Sequence, residues 1–188
     1  MNILKLTTPI PPSVNHYLNY RVGRSGRKTY VQSYPAVETI NYQAKIRKYV
    51  AEQIELQGWE IPDKDTFVYV YITFYFARKR KDSNNYLKVP FDVFTDAKVW
   101  HDDDKALPIV ERVYIDRENP HAEFTIVPAE FKGIFDNEKD LSDFKEKNCK
   151  ICTKNEANCM VLKSLLGNEI SSNTTKEKCN KIRIRKNL

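Results

Sequence analysis

The chain has 188 residues, a formal net charge of +6, 41% hydrophobic residues and 30% charged residues. This composition is typical of a globular protein and argues against an intrinsically disordered one. No apolar run approaches the roughly 20 residues of a membrane-spanning helix, and the first residues lack the apolar stretch of a signal peptide. We therefore expect a soluble, cytoplasmic protein that is not embedded in a membrane.

Charge is distributed unevenly along the chain. Residues 1–48 carry eight basic and one acidic side chain, residues 49–128 carry ten and fifteen, and residues 129–188 carry thirteen and nine. A cationic first third next to an acidic middle suggests a surface that binds a polyanion beside a cluster that binds a metal ion. Ordinary charge scatter over solvated faces is the alternative interpretation.

The first third of the chain predicts four elements. Alternating side chains indicate a short strand over residues 2–9, and two prolines then predict a rigid turn over residues 11–17. Two glycines among four basic residues are typical of a mobile basic loop, which we expect over residues 21–28. Apolar residues at near-helical spacing predict a helix over residues 36–56.

The middle third predicts the centre of a sheet. Residues 67–76 form the strongest strand pattern, and because the run is almost wholly apolar we expect a central strand that is covered on both faces. A helix is predicted over residues 85–98, followed by strands over residues 109–115 and 122–127. The element order β-α-β-α-β-β predicts an α/β domain with a mixed sheet over residues 1–128.

The last third predicts a linker helix over residues 129–148 and a small separate element over residues 149–188. All four cysteines of the chain lie in this element. In a cytoplasmic protein their spacing favours tetrahedral Zn²⁺ over disulfides, and an iron–sulfur cluster or free cysteines in a mobile tail remain alternatives. The four residues are Cys149, Cys152, Cys159 and Cys179.

Two acidic segments are candidates for chemistry. The first, residues 82–88, follows the strongest strand, where ligand sites often lie. The second is the triplet Asp102–Asp104, whose carboxylates repel one another unless a cation neutralises them. Together the two segments offer hard oxygen ligands for Mg²⁺ or Mn²⁺, which activates water and stabilises charge on a phosphate, with Lys88 as a further cation. The alternative is a helix cap and a solvated turn.

Several basic and aromatic side chains are candidates for DNA contact. Cations on a flexible loop can contact closely spaced phosphates without reading bases, and tyrosines such as Tyr17 can stack on unpaired bases. The alternative for each tyrosine is partial burial as a packing residue. The cations are Arg21, Arg24, Arg27 and Lys28 in the predicted loop, with Arg78 and Arg80 nearer the acidic segments.

Three motifs occur in order along the chain. They are Pro11-Pro12-Ser13-x-Asn15-x-Tyr17, then Asp82-x-Asn84-Asn85-x-x-Lys88, and then Trp100-x-Asp102-Asp103. This arrangement resembles the RusA family of Holliday junction resolvases over roughly residues 3–128. The four-cysteine tail lies outside the resemblance.

The resemblance implies a homodimeric, Mg²⁺-dependent endonuclease that resolves four-way DNA junctions by paired symmetric nicks during recombination and repair. The family's essential acidic residues fall on Asp82 and Asp103, with Asp102 adjacent, and its catalytic lysine falls on Lys88. One acidic position of the family falls on Asn84, whose amide oxygen can bind Mg²⁺ but brings no charge. The implied ligands are Asp82, Asn84, Asp102 and Asp103, and the opening motif adds Asn15 and Tyr17 to the expected DNA contacts.

Three other functions remain open from the sequence. Because Asn84 departs from the family pattern, the chain could be a non-catalytic branched-DNA-binding module with a degraded metal site. A broader flap or branch nuclease would carry the same motifs. A zinc-dependent protein-interaction factor would use the cysteine element alone.

Overall fold

A computed structural model describes residues 2–170 and 175–183. The chain divides into two compact units, residues 1–128 and residues 129–188. The first unit is an α/β fold with a mixed sheet, which confirms the predicted fold class. Within the described residues, no helix is both long enough and apolar enough to cross a membrane.

The first unit contains six strands and two helices. The strands are β1 Leu4–Pro9, β2 Leu18–Ser25, β3 Lys28–Pro35, β4 Val68–Phe76, β5 Ala106–Ile115 and β6 His121–Pro128. The helices are α1 Val37–Gln57 and α2 Lys88–Asp96, with 3₁₀ turns at Ser83–Tyr86 and Asp103–Lys105.

The main sheet has the strand order β1-β6-β4-β5. The central strand β4 pairs antiparallel with β6 and parallel with β5, and Val68 is opposite both Pro128 and Ala106. The central position of β4 agrees with the prediction. Because parallel neighbours need a crossover connection, the chain passes from β4 through α2 to β5.

One face of β4 is buried and the other is partly exposed. Ile72 and Phe74 are fully buried in the core beneath α1 and α2, whereas Tyr71 and Tyr75 on the opposite face are only partly covered. The prediction that both faces would be covered is therefore wrong. The tyrosines made the run look uniformly apolar, but their hydroxyl groups suit a face that is only partly covered.

The outer edge of β1 is capped by side chains of α1. The Gln57 amide accepts a hydrogen bond from the Lys5 N–H (2.8 Å) and donates one to the Lys5 carbonyl (2.8 Å). The Tyr49 hydroxyl accepts from the Thr7 N–H (3.1 Å). These bonds satisfy backbone groups that an edge strand otherwise offers to another chain.

The basic segment 21–28, predicted as a mobile loop, lies in a β-hairpin formed by β2 and β3. A two-residue turn joins the strands, and its Gly26 has φ +61°, the left-handed conformation that such turns require. Gly23 lies opposite Tyr30, and a Cβ atom on Gly23 would come within 2.4 Å of the Tyr30 ring. The glycines that suggested a loop therefore serve a turn and a close cross-strand contact.

The predicted helix over residues 85–98 is shorter and begins with a separate turn. Asp82 caps the 3₁₀ turn Ser83–Tyr86, and α2 begins at Lys88. Pro90 lies in the first turn of α2, where its missing N–H costs no helical hydrogen bond.

The second unit contains helices α3 Glu138–Phe144 and α4 Met160–Leu166, with a π-helical turn at Lys145–Cys149. The linker helix predicted over residues 129–148 is wrong for its first part, because Lys132 and Phe135 form a β-bridge there. Phe135, Leu141 and Phe144 of this segment instead form a small core with Leu162 and Leu165 of α4.

Replacing Ile72, which is 0% exposed, by alanine will leave a cavity and lower the free energy of unfolding by about 2–5 kcal/mol. The matched control is Ile109→Ala on the neighbouring strand, because Ile109 is 37% exposed and its loss will cost under about 1 kcal/mol. Urea unfolding followed by tryptophan fluorescence measures this unit alone, since both tryptophans, Trp59 and Trp100, lie in it. Equal losses in the two variants would contradict the one-sided core.

Candidate metal and DNA-binding site

The opening turn and the first acidic segment lie against each other. The Val14 N–H donates to the Asn85 carbonyl (2.7 Å), although 71 positions separate the two residues. On the other side of the turn, the Tyr17 carbonyl accepts from the Ala36 N–H (2.9 Å) and from the Thr39 hydroxyl (3.1 Å). The first two motifs of the sequence therefore form one surface.

The first acidic segment has a fixed backbone and exposed polar side chains. The Asp82 carboxylate accepts a hydrogen bond from the Asn84 N–H (3.1 Å), as a helix cap does. Tyr86 is buried against the rings of Phe74 and Phe76, which anchors the turn to the end of β4. Both Asp82 and Asn84 are exposed, so oxygen atoms remain for a ligand.

Lys88 lies between two carboxylates. Its ammonium group is 2.6 Å from Asp92 and 3.7 Å from Asp103. The hydrogen bond with Asp92 is the main reason why the pKa of Lys88 is raised; partial burial opposes this shift, and the charges of Asp92 and Asp103 add to it. Lys88 therefore stays protonated at neutral pH.

Asp92 was absent from the predicted site, and its only signal in the sequence is its position four residues after Lys88.

The second acidic segment follows a buried anchor. Trp100 is 1% exposed, packs against Phe91 and Phe94, and donates from its indole N–H to the Thr95 hydroxyl (2.8 Å). The carboxylates of Asp102–Asp104, which follow after His101, are all exposed. Asp104 pairs with Lys105 (2.9 Å).

The structure brings Asp103 to Lys88 but does not assemble the four expected ligands into one group. Asp82 follows the carboxyl end of β4, whereas Asp102 and Asp103 precede β5, whose first residue is opposite the amino end of β4. In the part of the chain that is described, no three His, Cys, Asp or Glu side chains stand in an arrangement that holds a metal ion. The chemistry of the donors nevertheless fits Mg²⁺, which prefers exposed carboxylate and amide oxygens and retains water ligands.

A cleft of about 420 Å³ lies beside the first acidic segment. Its walls include Ser13 and His16 from the opening turn, and Arg78 and Lys81 from the segment after β4. Arg80, between Arg78 and Lys81 in the chain, is exposed and has a left-handed backbone (φ +62°). Asn15 of the opening turn is also exposed. The cleft therefore offers several cations and hydrogen-bond donors to an anion.

The hairpin formed by β2 and β3 is basic and exposed. It carries four basic and no acidic side chains. Arg21 is held by Gln32 across the hairpin (2.7 and 3.0 Å), while Arg24, Arg27 and Lys28 form no ion pair with any described carboxylate. Tyr17, at the base of the hairpin, is partly buried against the core, which limits the stacking role predicted for it.

The four cysteines of the second unit line a single small cavity of about 20 Å³ and form no disulfide. Burial raises the pKa of the Cys149 thiol to about 11, and Glu156 and the other three thiols add to the shift. Backbone N–H groups of Arg183 and Lys154 donate to the Cys152 sulfur and lower its pKa. The thiols are therefore close enough to influence one another.

Comparison with known protein families gives one match for this surface. Residues 9–127 match the family model described as endodeoxyribonuclease RusA. This range contains the opening turn, both acidic segments and the hairpin, and it excludes the cysteines. No curated protein matches the chain.

Proposed function

The chain belongs to the RusA family of endodeoxyribonucleases, whose model covers more than half of it, and on this premise we propose that it resolves Holliday junctions by Mg²⁺-dependent, paired symmetric nicks. The observation that carries the proposal is the position of Lys88 between Asp92 and Asp103, beside the exposed Asp82 turn. A phosphodiester nuclease needs both carboxylates for a metal ion and a cation for the phosphate, and this surface provides both.

We assign the metal ligands to the two acidic segments. The residues that would hold Mg²⁺ or Mn²⁺ are Asp82, Asn84, Asp102 and Asp103, whose oxygen atoms are exposed and of the hard type that these ions prefer. Because the described side chains are not assembled into one group, the proposal requires the two acidic segments to approach each other when the ion binds. A divalent ion bound there activates water and neutralises negative charge on the phosphate.

Lys88 would stabilise the phosphate and not act as a base. Because its pKa is raised, chiefly by the hydrogen bond to Asp92, the group remains an ammonium ion throughout the neutral range. An ammonium ion placed beside the scissile phosphate stabilises the negative charge that develops there. Asp92 limits the rotation of the long lysine side chain and so holds the charge in place.

Branched DNA would be bound by the hairpin and by the cleft. The exposed cations of the hairpin suit phosphates that lie close together at a crossover, and Arg78 and Lys81 suit the strand nearest the acidic segments. A homodimer follows from the paired nicks, since a twofold axis would present two equivalent sites to a junction that is itself nearly twofold.

We expect Asp103→Asn to lower the rate of nicking of a synthetic four-way junction in Mg²⁺ by about 100-fold or more, because it removes a charged metal ligand and the partner of Lys88. The matched control is Asp104→Asn, which removes the adjacent carboxylate of the same triplet and will retain activity within a few-fold. Mapping the products on both strands will show whether the two nicks are symmetric.

Tryptophan fluorescence during urea unfolding will verify that both variants are folded. Unchanged nicking by Asp103→Asn would contradict the assigned site. Binding of the junction by the wild type without any nicking would support a non-catalytic module, and equal cleavage of junction and flap substrates would support a broader branch nuclease.

Asn84→Asp will lower the Mg²⁺ concentration required for half-maximal nicking by about tenfold, because a charged oxygen replaces a neutral one among the ligands. Ser83→Asp adds the same charge to the same turn at a position that the resemblance does not assign to the metal, and it will leave the Mg²⁺ requirement unchanged. A Mg²⁺ titration of the nicking rate measures both variants. A similar shift in each would show a general effect of charge and not ligation by residue 84.

The double variant Arg24→Gln, Arg27→Gln will weaken junction binding, and the slope of log K against log salt concentration will fall by about 1.8 if each arginine contacts one phosphate. Lys45→Gln with Lys64→Gln removes the same charge from exposed positions outside the hairpin and will leave the slope nearly unchanged. Binding is measured without Mg²⁺ so that the DNA stays intact. Equal slopes for both pairs would exclude the hairpin from the contact.

A further inference from the structure

The second unit has a very small apolar core. Among the described residues, five buried side chains form it, compared with 22 in the core of the first unit. A segment of about 60 residues that buries so little apolar surface needs an additional constraint, and a bound metal or disulfides are the usual ones. The described cysteines form no disulfides, and a metal bound by them would supply such a constraint.

The cysteine side chains come from three separate parts of the second unit and meet at one cavity. Cys149 and Cys152 lie on a tight turn in which the Cys152 N–H donates to the Cys149 carbonyl (3.0 Å). Cys159 lies immediately before α4, and Cys179 lies in the last described segment. The cavity between them is about 20 Å³, which is the space of roughly one water molecule or one ion.

The buried side-chain amide of Asn148 links the segments that line this cavity. Asn148 is 3% exposed, and its side chain accepts from the Cys179 N–H (3.1 Å) and donates to the carbonyls of Phe144 (3.0 Å) and Glu177 (3.4 Å). It therefore fixes Cys179 next to the turn that carries Cys149. Asn148 is not a member of the apolar core, so these hydrogen bonds position the segments around the cavity separately from the core.

Groups around the cavity suit sulfur atoms that carry negative charge. Backbone N–H groups of Arg183 and Lys154 donate to the Cys152 sulfur, which is the type of second-shell contact that supports a metal-bound thiolate. Lys154, Lys181 and Glu156 line the same cavity, and their formal charges sum to +1. Four thiolates around one divalent ion carry a net charge of −2, which this lining offsets in part.

We propose that the four cysteines of the second unit bind one Zn²⁺ ion as tetrahedral thiolate ligands. The thiols do not yet stand in a metal-binding arrangement within the described residues. Rotation about one side-chain torsion redirects each sulfur, and the four cysteines already line one cavity into which the sulfur atoms can turn. Binding releases the thiol protons to solvent and involves no change of oxidation state.

The cavity favours a single ion over a cluster. Tetrahedral sites of four thiolates hold either zinc or iron–sulfur clusters. A cavity of about 20 Å³ accommodates one ion, whereas a cluster of several iron and sulfide atoms requires more space. The inference is independent of the nuclease site, because every cysteine lies outside the matched residues 9–127.

The test is the metal content of the full chain. Wild type purified with zinc present will contain one zinc per chain, and the Co²⁺-exchanged protein will show the intense visible and near-ultraviolet bands of tetrahedral thiolate coordination. Cys152→Ser and Cys179→Ser will each weaken zinc binding by more than the 10–100-fold that loss of a second-shell partner costs. The matched control is Met160→Ser, which removes an exposed sulfur outside the cavity, and it will retain full zinc content.

A cysteine variant can lose structure in the second unit. Tryptophan fluorescence will show whether the first unit is still folded in such a variant, because both tryptophans lie in the first unit. As a second measurement, a zinc chelator added to wild type will expose residues 129–188 to protease while tryptophan-monitored unfolding stays unchanged. Zinc-free protein with four freely titrating thiols would overturn the proposal. So would disulfides between these cysteines, or the presence of iron and sulfide.

Discussion

The burial of one face of β4 is the constraint on which the first unit depends. Phe74 and Phe94 both pack against Phe124, and Phe94 also meets Trp100, so strand, crossover helix and the segment after it share one aromatic cluster. Lys88 begins the helix of this cluster, and Asp103 lies three residues beyond its buried tryptophan. The side chains of the candidate site are exposed, but the backbone that carries them is fixed by the core. Rigid elements of this kind are what a precise site requires.

The electrostatics of the site explain why acidic and basic residues occur together. A phosphate that approaches Asp102–Asp104 meets carboxylates of its own sign, which repel it unless cations lie between them. Lys88 supplies one such cation, and a divalent ion held by the carboxylates would supply the larger part. The basic hairpin lacks acidic residues altogether and needs no such compensation. The first unit therefore carries two surfaces of opposite charge, which its small net charge conceals.

The sequence predicted the elements that have strong periodicity, but not the contacts between distant segments. Helix α1 and strand β4 begin and end within one or two residues of their predicted bounds. The hairpin was missed because its strands are exposed on nearly all sides, so no alternation of burial marked them, and Gly23 and Gly26 are typical of loops. Asp92 was missed because an i,i+4 pair on a helix rarely signals function. That Asp82, Asp102 and Asp103 do not form one metal-binding group in the described residues depends on the path of the crossover, which no local pattern encodes.

Different interactions stabilise the two units under the zinc proposal: apolar burial in the first, and metal binding in the second. The first buries a large apolar core, and its free energy of unfolding depends on how well that core is packed. The second has five core residues, so under the zinc proposal its stability depends on the concentration of free metal through mass action. The core of the first unit contains none of the cysteines, so its packing does not depend on the metal. Under the zinc proposal, a fall in free zinc would therefore lower the free energy of unfolding of the second unit through the loss of its ligand, and not through a change in the packing of the first unit's core.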